Sequence, residues 1–119
     1  MHALLRQAYE TEMRAAVEQY TVNALTEAFT HLEQAHILGQ SFPIEHARTH
    51  WWMLKLGWKQ RDFVEITGQL PRIAGALLFS RIWVPKGNTG GARVSPFQSM
   101  PIPEDLQSLL TKYGRGSKL

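Results

Sequence analysis

The sequence predicts an all-α fold: an antiparallel helical bundle of four main helices, with a long Gly/Pro-rich loop and a short C-terminal helix. Apolar residues recur every three or four positions through most of residues 3–80, the spacing that places them on one helix face. The alternating pattern of half-buried strands is nearly absent. With 119 residues, 44% of them hydrophobic and 19% charged, the chain has the composition of one globular domain.

The first two helices are predicted from their apolar stripes and from the residues that bound them. The stripes are Leu5, Tyr9, Met13, Ala16, Val17 and Tyr20 in the first helix, and Leu25, Ala28, Phe29, Leu32 and Ala35 in the second. Asn23 suits the N-cap of the second helix, because its side chain can accept a hydrogen bond from a free backbone N–H. Gly39 suits the end of that helix, because glycine enters the left-handed conformation without a steric penalty.

The third helix is predicted over residues 43–59, with Pro43 in its first turn. It is apolar over most of its circumference, so we expect it to be the central and most buried helix. A fourth helix begins after Asp62, which resembles a capping box with the glutamate three residues later. Its apolar stripe is Phe63, Ile66, Leu70, Ile73, Ala74, Leu77 and Leu78. Pro71 lacks an N–H group, so we expect a kink or break around residues 68–70.

The rest of the chain is predicted to be a loop and one more helix. Residues 83–103 are rich in glycine and proline and show no sustained period. The last helix has a proline near its start and ends at Gly114. Residues 1–113 are therefore interpreted as one helical domain and residues 114–119 as a flexible tail. The two helix–turn–helix pairs repeat near the ~34-residue period of tetratricopeptide units, so a tetratricopeptide-like interaction module stays open as an alternative.

Composition and charge exclude several classes of function. The chain has no cysteine, which excludes disulfides, thiolate ligands and a cysteine nucleophile, and which fits a cytoplasmic location. Its longest apolar run, residues 73–80, is far shorter than the ~20 residues that span a bilayer, so no transmembrane segment is expected. Arg48, Lys55 and Lys59 share one face of the third helix. We interpret that face as solvated rather than phosphate-binding, and we expect no nucleic-acid partner.

A metal site is predicted from the histidines of the second and third helices. Glu33 and His36 are three residues apart, and His46 and His50 are four apart, so each pair shares a helix face. The connection near residues 40–42 is short enough to bring these faces together. Imidazole and carboxylate are ligands of zinc, iron, copper and nickel. The predicted cofactor is one of these ions, and the predicted ligands are Glu33, His36, His46 and His50.

Other interpretations of the same residues stay open. The histidines can instead form a hydrogen-bonded structural cluster, or a neutral histidine beside Glu33 can act as a general base in an enzyme. His31 lies on the polar face of the second helix and is interpreted as a surface residue. Residues 87–92, GNTGGA, lack the strand and the Gly-Lys-Ser/Thr of a phosphate loop, so they are interpreted as a structural loop packed on the helices.

Self-association is also expected. One chain offers an incomplete ligand set for a site with two metals, and the third helix has more apolar surface than a small bundle covers. We therefore predict a homo-oligomer.

The stretches HLEQAHILGQ, GNTGGARVSPF and MPIPEDL resemble, in that order, a family of small bacterial proteins known as domain-of-unknown-function family 3703. The resemblance runs from the second helix to the last. It implies a small cytoplasmic protein without an established activity, in a family sometimes accompanied by metal-handling genes. It places Glu33, His36 and His50 at motif positions, with His46 as the fourth residue. The chain departs from the family pattern at Pro71, where similar proteins continue the helix.

Overall fold

The computed structural model describes residues 1–115, which contain five α-helices and no β-strand. The helices are α1 (Ala3–Thr21), α2 (Leu25–Gly39), α3 (Pro43–Lys59), α4 (Phe63–Phe79) and α5 (Glu104–Tyr113). The prediction of four main helices and a short C-terminal helix is confirmed. No helix in the described range is both long and apolar enough to cross a membrane. Residues 116–119 of the predicted tail lie outside that range.

The hydrophobic core lies mainly between α1, α2 and α3. Each of the first three helices packs against the next one in the chain, and α5 lies against α1 and α2. The fully buried apolar side chains follow the predicted stripes of α1 and α2 and are joined by residues of α3: Leu5, Tyr9, Met13, Ala28, Leu32, Leu38, Met53 and Leu56. This core fixes α2 against α3, the pair that carries the four predicted ligands.

Two predictions about the ends of α2 need correction. Asn23 is not the N-cap: its φ of 61° places it in the left-handed turn before the helix, and Ala24 is the N-cap, without a side-chain hydrogen bond. Gly39 is the last residue of α2 as predicted, but for another reason. A Cβ at Gly39 would lie 3.0 Å from the ring of Tyr9, so glycine lets the helix end pack closely against α1.

The helix α3 has the predicted bounds, and it contacts both α2 and α4. Its buried face is less apolar than expected, because two of its large apolar residues, Trp51 and Trp58, lie outside that face and are 52% and 63% exposed. The buried residues of α3 instead include two histidines and a threonine. Its basic face is not only solvated, since Arg48 donates to Glu10 of α1 at 2.6 Å.

The helix α4 turns a polar face toward α3, and its predicted apolar stripe is wrong. Its buried residues are Glu65, Gln69 and Ala76, whereas Leu70 and Leu78 are 56% and 68% exposed. A buried carboxylate and amide are stable only when hydrogen-bonded, and both have partners in the interior. An apolar surface is consequently left on the outer side of α4.

The start of α4 is as predicted, and of the predicted kink or break around residues 68–70, the break is not present. The Asp62 side chain accepts a hydrogen bond from the backbone N–H of Glu65 at 3.3 Å, which confirms the cap. The helix then continues through Pro71 to Phe79. In the turn before the proline, the guanidinium of Arg72 donates to the carbonyl of Gly68 at 2.8 Å, and this stabilises the turn.

Residues 80–103 form neither helix nor strand and fold back over the helices. The side-chain amide of Asn88 donates to the carbonyls of Ser95 and Gln98 at 2.7 and 2.8 Å, which closes the segment on itself. Gly87 has a φ of 82° and lies directly against the carbonyl of Met100, where no Cβ would fit. The segment therefore has a defined conformation, and it reaches the histidines.

Candidate metal centre

Three of the four predicted ligands meet in the interior. His36 lies near the end of α2, and His46 and His50 lie on successive turns of α3. All three side chains are buried. Their Nε2 atoms form a nearly equilateral triangle, with 2.9 Å between His46 and His36, 3.0 Å between His46 and His50, and 3.1 Å between His36 and His50. The helix spacing and the short connection between α2 and α3 produce this convergence, as predicted.

The Nδ1 atoms of His36 and His46 each donate a hydrogen bond away from the triangle. His36 Nδ1 donates to the backbone carbonyl of Asn88 at 2.7 Å, and a carbonyl can only accept. His46 Nδ1 lies 2.7 Å from Ser80 Oγ. The Ser80 hydroxyl uses its own proton to donate to the carbonyl of Ala76, so its oxygen accepts from His46. Both imidazoles therefore carry their proton on Nδ1.

The third imidazole is oriented by Gln69. His50 Nδ1 lies 2.6 Å from Gln69 Oε1. The amide group of Gln69 donates to the carbonyl of Gly90 at 3.0 Å and to the carboxylate of Glu65 at 2.9 Å, and both of these groups are acceptors. The amide nitrogen must face those two groups, so its oxygen must face His50. His50 consequently also has its proton on Nδ1.

The tautomers leave three unprotonated Nε2 atoms facing one another. Burial is the largest cause that keeps the rings neutral: it lowers the pKa of His46 to about 4 and the pKa of His50 to about 3. For His36, burial followed by the neighbouring imidazoles lowers the pKa well below its usual value. Neutral imidazoles of this tautomer cannot hydrogen-bond to each other through Nε2. Three lone pairs about 3 Å apart repel unless a cation lies between them.

The donor set fits a transition-metal ion. In a tetrahedral zinc site, Zn–N bonds of roughly 2.0–2.1 Å place two imidazole nitrogens about 3.3 Å apart. The observed separations of 2.9–3.1 Å are slightly shorter. Three imidazole nitrogens at this spacing could hold one face of a metal ion and would leave its opposite side open to a further ligand. Hydrogen bonds from Nδ1 to fixed acceptors are the usual support of metal-binding histidines.

The same three histidines line a cavity of about 370 Å³. Most of its other walls are apolar: Pro71, Gly75, Ala76, Phe79, Trp83, Val84, Pro85, Pro96 and Phe97. Gln40 and Arg72 are polar members of the wall, together with Ser80 and Asn88. A ligand in this cavity would be in reach of the imidazoles.

Glu33 lies apart from the triangle. Ligand atoms within 4.8 Å of one another come from His36, His46 and His50. The carboxyl group of Glu33 is half-buried and hydrogen-bonds to the side chain of Thr89; burial, with a smaller contribution from Glu65, raises its pKa. Its role as a fourth ligand therefore stays a prediction.

His31 also lies outside the triangle, as interpreted from the sequence. Its Nδ1 is 2.7 Å from the carboxylate of Glu12 on α1, and about a third of its side chain is exposed. It is a histidine of the same helix as His36 that takes no part in the site.

The sequence did not indicate the groups that orient the imidazoles. Gln69 and Ser80 are ordinary polar residues in and directly after a helix that was expected to bury leucines. Asn88 contributes a backbone carbonyl, which no side-chain pattern can reveal. The glycine-rich residues 87–92 pack on the helices, as predicted, and they also contact the site directly. Gly90 has a φ of 91°, and a Cβ there would lie 2.6 Å from the His36 ring.

Comparison with known proteins gives a family and no activity. A family model described as "Protein of unknown function (DUF3703)" matches residues 3–110, which include α1 to α4 entirely and most of α5. Neither the curated proteins nor the solved structures contain a match to the chain.

Proposed function

The chain belongs to the DUF3703 family, and because the function of that family is unknown, we propose one from the site: binding of a divalent transition metal by His36, His46 and His50. Zinc, iron, copper and nickel all accept neutral imidazole, and zinc is known to bind three imidazoles together with a further ligand. The observation that carries the proposal is the convergence of three unprotonated Nε2 atoms whose Nδ1 protons are all held by acceptors.

A purely structural histidine cluster accounts less well for this arrangement. In such a cluster at least one ring would place its proton on Nε2 and donate it to a neighbour. Here Asn88, Ser80 and Gln69 each hold a ring in the opposite tautomer. A buried polar network whose members face each other as acceptors is costly, and a bound cation removes that cost.

A metal-dependent enzyme is the second candidate, and the cavity favours it. Structural zinc sites have four protein ligands, whereas catalytic sites have three and leave a position for water or substrate. Three imidazoles beside a cavity of about 370 Å³ match the catalytic pattern. A zinc-bound water with a pKa near 7 would supply hydroxide at neutral pH. The roles of the protein residues would be to hold the ion and to exclude bulk water.

We propose the cytoplasm as the location and a homo-oligomer as the assembly, with the four main helices in antiparallel order. The exposed apolar residues of α4 support self-association, because surfaces of this kind usually mark an interface. A tetratricopeptide-like interaction module would use the same surface for another protein. Sedimentation of the purified chain distinguishes these two possibilities: a dimer supports the first, and a monomer at all concentrations contradicts it.

The metal proposal is tested by elemental analysis and titration of the full chain purified without a histidine tag. We expect one zinc per chain for the unaltered protein and for the matched control His31→Ala. His36→Ala and His50→Ala should retain no stoichiometric metal after desalting. Glu33→Gln tests the predicted fourth ligand, since retained stoichiometry and affinity would remove it from the site. If His36→Ala binds metal as the unaltered protein does, the proposal is wrong.

A further inference from the structure

We propose that the free position of this site takes a small organic anion with an apolar body, a monocarboxylate in its simplest form, held between the metal and Arg72. The inference rests on the proposed function, since it concerns what binds to the metal-loaded protein. It is carried by the charge of the cavity, by the position of Arg72, and by the aromatic residues at the edge of the cavity.

The charge of the loaded site favours an anion. Three neutral imidazoles leave the two positive charges of a divalent ion uncompensated. Among the described residues that line the cavity, Arg72 is the one ionisable side chain besides the histidines, and it adds a third positive charge. No aspartate or glutamate of the described chain contributes to this wall. An uncompensated charge in a largely apolar cavity is unfavourable, so an anionic ligand is favoured and a cationic ligand is disfavoured.

Arg72 is held in place for such a ligand. Its guanidinium donates to the carbonyls of Gly68 and Val94, both at 2.8 Å. A guanidinium has five N–H donors in a planar fork, so three remain. No described carboxylate lies within ion-pair distance of it, and the charge of Glu65 acts on it from farther away. The fork matches the two oxygens of a carboxylate. Arg72 is also close enough to the triangle for its charge to contribute to the lowered pKa values of His36 and His50.

The apolar part of the ligand would contact the aromatic residues at the edge of the cavity. Phe79, Trp83 and Phe97 all line the cavity and are all exposed, Phe97 by 75%. Exposed aromatic side chains around a cavity are typical of ligand sites, because a bound molecule covers them. A volume of about 370 Å³ lies within the usual range for small-molecule sites. An inorganic anion would satisfy the charge but would leave this apolar wall uncovered.

Isothermal titration of the zinc-loaded full chain tests the inference with three probes of graded chemistry. Benzoate has a carboxylate and an apolar body, acetate has the carboxylate alone, and benzylamine has the body with the opposite charge. We expect benzoate to bind with 1:1 stoichiometry at least tenfold more tightly than acetate, and benzylamine not to bind. We also expect no binding of benzoate to the zinc-free chain.

Two variants separate the contributions of charge and apolar contact. Arg72→Gln keeps an amide donor for the backbone carbonyls but removes the charge, and it should weaken benzoate binding at least tenfold while one zinc per chain remains. Phe97→Ala should weaken benzoate about fivefold with little effect on acetate. Phe63→Ala is the matched control, because Phe63 is also exposed on the surface but does not line the cavity. If Arg72→Gln fails to fold, the comparison of Phe97→Ala with Phe63→Ala still tests whether benzoate binds in this cavity.

The outcomes distinguish the inference from the metal proposal. Binding of one zinc without binding of benzoate overturns the inference and leaves the proposed function intact. Equal affinity for benzoate and acetate, or binding of benzylamine, also overturns the inference. Absence of stoichiometric zinc overturns both, and the elemental analysis shows this before any probe is added.

Discussion

Ser80→Ala separates a metal site from a structural histidine cluster. Ser80 Oγ accepts the Nδ1 proton of His46 at 2.7 Å and, with the backbone carbonyl of Gln40 as a second hydrogen-bond partner of the ring, favours the tautomer in which Nε2 faces the triangle. Alanine removes that acceptor and changes little else, because the backbone N–H of Ser80 still donates to the carbonyl of Ala76. In the variant, the backbone of Gln40 is the remaining partner outside the triangle, so the proton of His46 moves more easily to Nε2.

The expected effects on the metal-bound and metal-free protein differ. Loss of the hydrogen-bond partner of a metal-binding histidine typically weakens metal affinity 10- to 100-fold, which is about 1.4–2.7 kcal/mol. In the metal-free chain, His46 loses one hydrogen bond, worth about 1 kcal/mol. It gains another, because a proton on Nε2 can be donated to His36 at 2.9 Å or His50 at 3.0 Å. The free energy of unfolding without metal should therefore change by less than about 1 kcal/mol.

Two measurements on the same variant give these quantities. Competition with a zinc chelator at about pH 7.5, above the unperturbed histidine pKa, gives the zinc affinity, and urea unfolding in the presence of a chelator gives the metal-free stability. Ser108→Ala is the matched control, since Ser108 is an exposed residue of α5 whose hydroxyl bonds only within its own helix. An unchanged zinc affinity, or a loss of metal-free stability of several kcal/mol, would refute the assigned tautomer and the role of Ser80.

Three further predictions follow from the same geometry. Excess zinc, at about a thousand times its Kd, should raise the free energy of unfolding of the unaltered chain and of His31→Ala by about 4 kcal/mol in urea unfolding. The stability of His46→Ala should not change. Equal stabilisation of all three proteins would contradict metal binding by His46. The folded-state pKa values of His46 and His50, about 4 and 3, lie below the unfolded value of 6.5, so the unfolded state binds more protons at acid pH. The free energy of unfolding of the metal-free chain should then be constant above about pH 6.5. As the pH is lowered from there, it should decrease by up to about 1.4 kcal/mol per pH unit for each histidine. A flat profile between about pH 7 and 5 would count against buried neutral rings. Gly90→Ala places a Cβ against the His36 ring at a φ of 91°. It should lower the free energy of unfolding by about 1–3 kcal/mol in thermal or urea unfolding, and it should also weaken zinc binding. Gly75→Ala, whose Cβ meets nothing within 4 Å, should stabilise the chain by about 0.4–1 kcal/mol, and the reverse order of these two variants would show that Gly90 does not pack against His36.

The helices could be predicted from the sequence because their signals are local. The bounds of α3 follow from Pro43 at the first turn and from the end of its apolar period, and they are confirmed. The face of α4 could not be predicted in this way. A hydropathy pattern assigns Glu65 and Gln69 to the solvent, whereas their burial depends on hydrogen bonds to His50 and to the loop around Gly90, distant in sequence. Tertiary contacts therefore decide which side of the helix is buried.

The candidate site could likewise be predicted only in part. Positions three and four apart on adjacent helices bring His36, His46 and His50 together, and this follows from helix geometry alone. The same reasoning included Glu33, which lies about 60° from His36 around the helix axis and hydrogen-bonds to Thr89, and its place among the ligands stays a prediction. The acceptors that fix the tautomers come from other parts of the chain, one of them a backbone carbonyl 52 residues from His36. Such partners leave no periodic signal.

X-ray absorption at the zinc edge of the loaded full chain tests the central claim most directly. The structure predicts three imidazole nitrogens at about 2.0–2.1 Å, with the outer-shell scattering of their rings, and one further light ligand at the free position. The same spectrum is expected for His31→Ala, and the imidazole scattering should collapse in His36→Ala. Zinc surrounded mainly by water oxygens, or a spectrum that does not change when His36 is removed, would contradict the claim that these three histidines bind the metal.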